Sequence, residues 1–280
     1  MVLEFKNYKK KIRKDTTLEL DFEVKEGEIL AILSNDKEGL EIIKESFRNR
    51  TKYKGQILFD SKNLSKEKLI FSNDYGFYNH LSLIKNLQKF LSMFKINMNF
   101  EDLKSNLLAL ELESDKKYKK LLKNEKIKFH TLFSILTKQK LVVVDNADKS
   151  LTSKDKLLIK ELLSKKEQHS TVIVFDNMLN EFNDIANNVL VISDGIKSYY
   201  GTLSDLLIIK QLAALSLSHQ DDLDIILQDY QYTVYNDREI VVRDEVLEEV
   251  VYELLKNDIE VYQIRNLGEK IKLYAGDGEK

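Results

Sequence analysis

Apolar and polar positions alternate near the start of the chain and then give way to unbroken apolar runs. In "LELDFEV", residues 18–24, Leu18, Leu20, Phe22 and Val24 share one face, which predicts a half-buried strand over 17–24. Residues 2–6 read as its partner, and the basic run "KKKIRK" at 9–14 as a solvated hairpin tip rather than a binding patch. A buried strand follows at 28–33. Leu40, Ile43 and Phe47 then recur at helical spacing over 39–47. "GQILFD" at 55–60 and "LIFS" at 69–72 predict further strands.

From about 79 to 130 the period becomes helical. Leu83, Leu87, Phe90 and Phe94 form one stripe, and a second amphipathic stretch lies near 101–112. "KLVVVDNAD" at 140–148 is an apolar strand ending in Asp145. A helix is expected over 153–165, with Leu157, Leu158, Leu162 and Leu163 on its apolar side. "STVIVFDN" at 170–177 is another buried strand, and 187–201 predicts two short strands about a turn at Asp194-Gly195. Buried strands alternating with helices imply an α/β fold with a mostly parallel sheet, joined by an antiparallel portion. After Gly201 the pattern predicts one helix over 203–216. A small α+β appendage at 220–280 follows, built as strand–strand–helix–strand.

Composition narrows the function. The chain has 280 residues, 43% of them apolar, enough for a packed core in one large domain or one large and one small. Its net charge of −2 gives no reason to expect nucleic acid as a partner. Cysteine is absent, so disulfides and cysteine-based zinc sites are excluded. No apolar run reaches the roughly 20 residues of a membrane span, and no leader peptide opens the chain. Proline is absent too, which we ascribe to biased composition. The four histidines (His80, His130, His169, His219) lack metal-ligand spacing and are expected to be ordinary surface or half-buried residues. Ser34 and Ser134 have no histidine in view for nucleophilic catalysis.

The segment most open to chemistry is "AILSNDKEGLEII", residues 31–43, where a strand enters a loop and a helix leaves it. A phosphate-binding P-loop there has the spacing G-x-x-x-x-G-K-[ST]: glycines turn backbone N–H groups to the phosphates, the lysine neutralises them and the hydroxyl holds Mg²⁺. Its eight positions are Ser34, Asn35, Asp36, Lys37, Glu38, Gly39, Leu40 and Glu41. Gly39 is kept, Leu40 stands at the lysine and Glu41 at the hydroxyl. Lys37 sits three positions early, at the loop tip, where a side chain points away from the phosphates.

Five fragments in colinear order resemble the ATP-binding subunit of an ATP-binding cassette (ABC) transporter: "FEVKEGEILAIL", "YKGQILFD", "DYGFYNHLSLIKNL", "KLVVVDNADKSL" and "VLVISDGIKSYYGT". The resemblance covers roughly residues 1–215. It implies an ABC ATPase-like core with a helical subdomain at about 79–130. The appendage at 220–280 is similar to the extra C-terminal segment of bacterial drug and bacteriocin exporter subunits.

Carried over by position, the resemblance places Ile12, with Tyr8 nearby, where an aromatic stacks on adenine. Asn73 falls at the Q-loop residue, and Leu121-Leu122-Lys123-Asn124-Glu125 at the signature segment. Asp145 keeps the Walker B aspartate. Asn146 replaces the catalytic glutamate, Ala147 the proline after it, Thr152 the D-loop aspartate and Asp176 the switch histidine. Asp145 reads either as a Mg²⁺ ligand through water or, preferably, as a carboxylate capping the turn after its strand.

Hydrolysis of ATP rests on positioning and electrostatics. Asn146 cannot serve as a base. A unit charge repulsion from Glu38 or Glu41 at ~4 Å and an effective dielectric near 20 is on the order of 4 kcal/mol. The resemblance therefore implies a pseudo-ATPase with no catalytic residues and no cofactor. Its expected partners are a transmembrane permease and a second ATP-binding subunit, at the inner face of the membrane. Tyr75, Phe77 and Tyr78 are the candidate lining of a permease groove, whereas Leu81 and Leu83 are expected in the core. A functional ATP-binding subunit with a remodelled site and ATP/Mg bound, and a soluble scaffold without a membrane partner, are the alternatives.

Overall fold

The chain was analysed as a computed structural model, which describes residues 2–34, 37–64, 76–177, 185–193, 195–209 and 211–267. It divides into two compact units, residues 1–200 and 201–280.

The first unit begins with an antiparallel sheet of β1 (Val2–Lys11), β2 (Thr17–Lys25), β4 (Lys54–Phe59) and β5 (Lys62–Asn63), in the order β2-β1-β4-β5. Strand β1 is longer than its alternation predicts. Its register shifts between Phe5 and Tyr8, where Asn7 adopts a φ of 49°, and pairing resumes from Tyr8 to Lys11. The basic run thus starts inside a strand, and only from Ile12 onward is it the hairpin tip. On β2 the expected face is buried at every second residue.

The second sheet has the order β6-β7-β3-β8-β9, from β3 (Ile29–Ser34), β6 (Leu141–Asp145), β7 (Thr171–Asp176), β8 (Asn188–Ser193) and β9 (Ile196–Thr202). β6, β7, β3 and β8 pair in parallel. Every residue of β3, β6 and β7 is buried, as a parallel sheet covered on both faces requires. Helix α1 (Lys37–Phe47) packs Leu40, Ile43 and Phe47 into the core between the sheets. The strand expected at 69–72 lies outside the described residues.

Helices α2 (Leu83–Met93), α3 (Phe100–Ala109) and α4 (Lys123–Leu136) build the helical part. Ser82 and Asn99 cap the first two by accepting the backbone N–H of Lys85 and Asp102. Phe77 is the hub of the core beneath them. Its ring centroid lies 4.8 Å from those of Phe90 and Phe129 and 5.2 Å from that of Phe133. Helix α5 (Ser153–Leu163) follows β6. Its inner side is Ile159, Leu162 and Leu163, while Leu157, expected inside, is exposed because the helix turns it to solvent.

The second unit corrects one expectation. The pattern predicts one helix over 203–216, but α6 (Leu203–Ile209) stops early and β10 (Leu212–Leu217) follows. Ala213, Leu215 and Leu217 alternate into a core, and pairing with β12 (Glu239–Arg243) and β13 (Val261–Asn266) overrides helix propensity. With β11 (Tyr232–Asn236) the sheet order is β11-β12-β10-β13. Helix α7 (Leu223–Ile226) lends Leu223 to this core, and α8 (Leu247–Lys256) lends Val250 and Leu254.

Phe77→Ala should cost about 3–5 kcal/mol, the usual range for emptying a packed phenyl site. Urea unfolding checks this, and a cost under 1 kcal/mol would contradict the hub role.

Candidate functional site

The carboxyl ends of β3, β6 and β7 meet the first turns of α1 at one edge of the parallel sheet. Ser34 ends β3 and is buried. Asn35 and Asp36 of the loop, and the side chain of Lys37, lie outside the described residues, as do Asn73 and Tyr75. Gly39 is buried at the start of α1, and Leu40 is part of the apolar core. No charge therefore stands at the lysine position. Glu38 is exposed and bonded to Arg13, whose Nε lies 3.0 Å from its carboxylate. Glu41 is largely exposed.

The next turn of α1 supplies a cation that sequence reasoning missed. Lys44 is only 3% exposed. Its Nζ lies 2.9 Å from Glu41 Oε1 and 2.8 Å from Asp145 Oδ1. The ring of Phe175 approaches the same ammonium at 5.7 Å. Asp145 is thus ion-paired to a helix, not capping the turn after its strand. Burial pushes its carboxyl above the ordinary value; Lys44 works against this, while Glu41 and Asp148 add to it. The signal was present: Lys44 falls between Ile43 and Phe47 on the apolar arc of α1, where a lysine needs a partner.

A second closure lies beside the first. Asn146 and Asp176 are fully buried and hydrogen-bonded, the Asn146 amide donating to Asp176 Oδ2. Lys156 Nζ on α5 reaches Asp176 Oδ1 at 2.8 Å, and the Asn177 N–H donates to the same oxygen at 2.7 Å. Burial holds Asp176 above the usual carboxylate value despite Lys156.

The segment 121–125 is tied down within the chain. Lys123 pairs with Asp148. Glu125 caps α4 by accepting the Leu122 N–H at 2.8 Å, and it takes Lys116 at 2.7 Å. Lys128, buried on α4, meets Asp155 at 2.6 Å, and Asn124 donates to Asp155 at 3.1 Å. Thr152 caps α5 in a reciprocal box with Asp155. Between these groups lies a cleft of about 280 Å³, lined by Leu40, Glu41, Lys44, Lys123, Asp145 and Asp148 among others.

The remaining candidates are placed elsewhere. Tyr8 is fully buried with its hydroxyl 2.8 Å from that of Ser46, so it offers no face to a base. Ile12 packs on the core and against Gly195, where a side chain would meet Thr16 Cγ2 at 2.8 Å and Ile12 Cδ1 at 3.0 Å. Phe77 is core, which removes it from any groove; Leu83 is core as expected. Tyr78 is 38% exposed and carries Lys89 4.5 Å over its ring. His130, expected at the surface or half-buried, is buried, with Nε2 2.7 Å from the Tyr118 hydroxyl. The Ser134 hydroxyl donates to the carbonyl of His130. Among the described residues no group of three or more histidines and carboxylates is arranged for a metal, and no helix is long and apolar enough to cross a membrane.

No protein-family model matches the chain, and no curated protein matches it by sequence. Solved structures do match by fold. CbiO1 from Clostridium perfringens, part of the ABC transporter complex CbiONQ, is 18% identical, with 74% of this chain and 90% of that one covered at a TM-score of 0.54. A cobalt transport ATP-binding protein, CbiO-2, is 13% identical over 87% of this chain and 92% of that one, at a TM-score of 0.58. The ATP-binding cassette MJ0796, as a dimer in a post-hydrolysis state with ADP and Pi, is 17% identical over 72% and 99%, at 0.55. The chain has the ABC ATPase fold.

Asp155 gives a pH prediction. Burial opposes its ionisation, but Lys128, Asn124 and Thr152 outweigh burial and hold the carboxyl well below the ordinary value. A carboxylate depressed on folding contributes stability above its unfolded pKa of about 4 and loses it as pH falls toward the folded value. Urea midpoints should therefore fall more steeply below about pH 4 in the wild type than in Asp155→Asn. Parallel curves would contradict the pairing.

Proposed function

We propose that this chain is a nucleotide-site-degenerate ABC subunit, a pseudo-ATPase that docks on a membrane exporter and pairs with a second, competent ATP-binding subunit. The fold supports the subunit class. The observation that carries the degenerate reading is Lys44 bridging Glu41 and Asp145. Magnesium triphosphate does not fit this set of residues. Its phosphates need the cation that Leu40 has replaced, and the metal needs a hydroxyl where Glu41 stands and a carboxylate that Lys44 already holds. The two charges of Glu38 and Glu41, anticipated as open repulsion, are each paired. The obstacle is prior occupation of the site's carboxylates and loss of its phosphate cation.

Asn146 has no basic lone pair to receive a proton from water, and its amide is engaged by Asp176. A partner's nucleotide would face residues 121–125, where Lys123, Asn124 and Glu125 are bonded inside the chain. The role left is structural or regulatory. Tyr78, half open at the edge of the helical part, remains the candidate for permease contact. The alternative of a remodelled nucleotide site draws on the cleft itself, which Lys44, Lys123 and Lys149 all border.

Phosphate release and Mg-ATP calorimetry on the purified chain separate the two. We expect no turnover and no binding at millimolar nucleotide. Turnover by the isolated chain, abolished in Asp145→Ala, would overturn the pseudo-ATPase reading. Recovery from detergent extracts with a multi-span protein and an intact ATP-binding subunit is expected; recovery of the chain alone would favour the soluble scaffold.

A further inference from the structure

We propose that the ammonium of Lys44 is a built-in replacement for the divalent cation of the ABC site, so that this edge of the sheet stays closed without metal or nucleotide. The inference rests on the positional reading of Glu41 and Asp145 given above. In a P-loop site the metal is held by the last P-loop hydroxyl and the Walker B aspartate. Those two positions are here Glu41 and Asp145, and Lys44 Nζ is ion-paired with both, at 2.9 and 2.8 Å.

The net charge of the set changes sign. A neutral hydroxyl, an aspartate and a divalent ion sum to +1. Glu41, Asp145 and Lys44 sum to −1, and the P-loop lysine that would add another +1 is Leu40. The exchange of hydroxyl for carboxylate and the gain of a lysine three residues on therefore act together. Glu41 supplies the second anion that a monovalent ammonium needs in order to be held from both sides. The third side is the face of Phe175 at 5.7 Å, an apolar surface that suits an ammonium better than a hydrated metal ion. The lysine is covalently attached and almost fully buried, so it meets the two carboxylates as an intramolecular partner rather than from solution.

One consequence follows for the unpaired carboxylates. Without the ammonium, Glu41 and Asp145 would be left as two carboxylates at the cleft with no cation between them, and one or two carboxylates completed by water can hold a hard divalent ion. Removing the charge while keeping the stem should convert the site into a metal site.

The test uses Mn²⁺ alone, with no nucleotide, read by electron paramagnetic resonance and by thermal unfolding. The wild type should leave the free Mn²⁺ signal unchanged and show no metal-dependent midpoint. Lys44→Met should bind one Mn²⁺ per chain and unfold at a temperature that climbs with metal concentration. Lys44→Met combined with Asp145→Asn should lose that response, and Lys44→Arg should stay insensitive like the wild type. The proposal is overturned if the wild type binds Mn²⁺ in a way that Asp145→Asn abolishes. A folded Lys44→Met chain that ignores Mn²⁺ also overturns it, as does one that stays unfolded in millimolar Mn²⁺. ATP turnover by the wild type would sink the pseudo-ATPase reading separately, since no nucleotide enters the metal experiment.

Discussion

A buried ammonium shared by two carboxylates sets the character of the open edge of the parallel sheet. Asp145 ends a fully buried strand, and an ionised carboxylate there carries a desolvation cost that only a close counter-charge offsets. Lys44 reaches it from the helix that follows β3 and takes Glu41 on the way. Strand β6, helix α1 and the end of β7 are thereby joined at a single charged point, with Phe175 as its apolar wall. The charge of these side chains is consumed between the chain's own elements.

The same economy recurs nearby. Asn146, Asp176 and Lys156 close the ends of β6 and β7 onto α5. Lys123 with Asp148, and Lys128 and Asn124 with Asp155, fasten α4 to the β6–α5 connection and to α5 itself. Each of these side chains has a partner of complementary charge or hydrogen-bonding capacity inside the fold.

Much of the architecture was legible from periodicity. The buried strands at 28–33, 140–145 and 170–176, the alternating strand at 17–24 and the helix beginning near 39 carry their patterns in contiguous residues, and local patterns suffice for local structure. Where local propensity competed with pairing, the sequence misled. "LAALSL" has helical composition, yet β12 and β13 flank it and hold it extended. Phe77 has exposed Gly76 and Tyr78 beside it in the sequence and gave no sign of the aromatic partners, five among the described residues, that fold over it.

By itself the sequence determined most of the element order as far as residue 200 and the residue types at its key positions, Leu40 and Glu41 after Gly39 and Asn146 after Asp145, because each is a matter of residue type at a countable position. Only the tertiary structure decided what became of the charges that remain. Glu38 with Arg13, Lys44 with Asp145 and Lys156 with Asp176 are pairs 25, 101 and 20 residues apart, brought within about 3 Å by chain folding. Coulomb energy depends on that distance and on burial, and neither can be read from spacing along the chain.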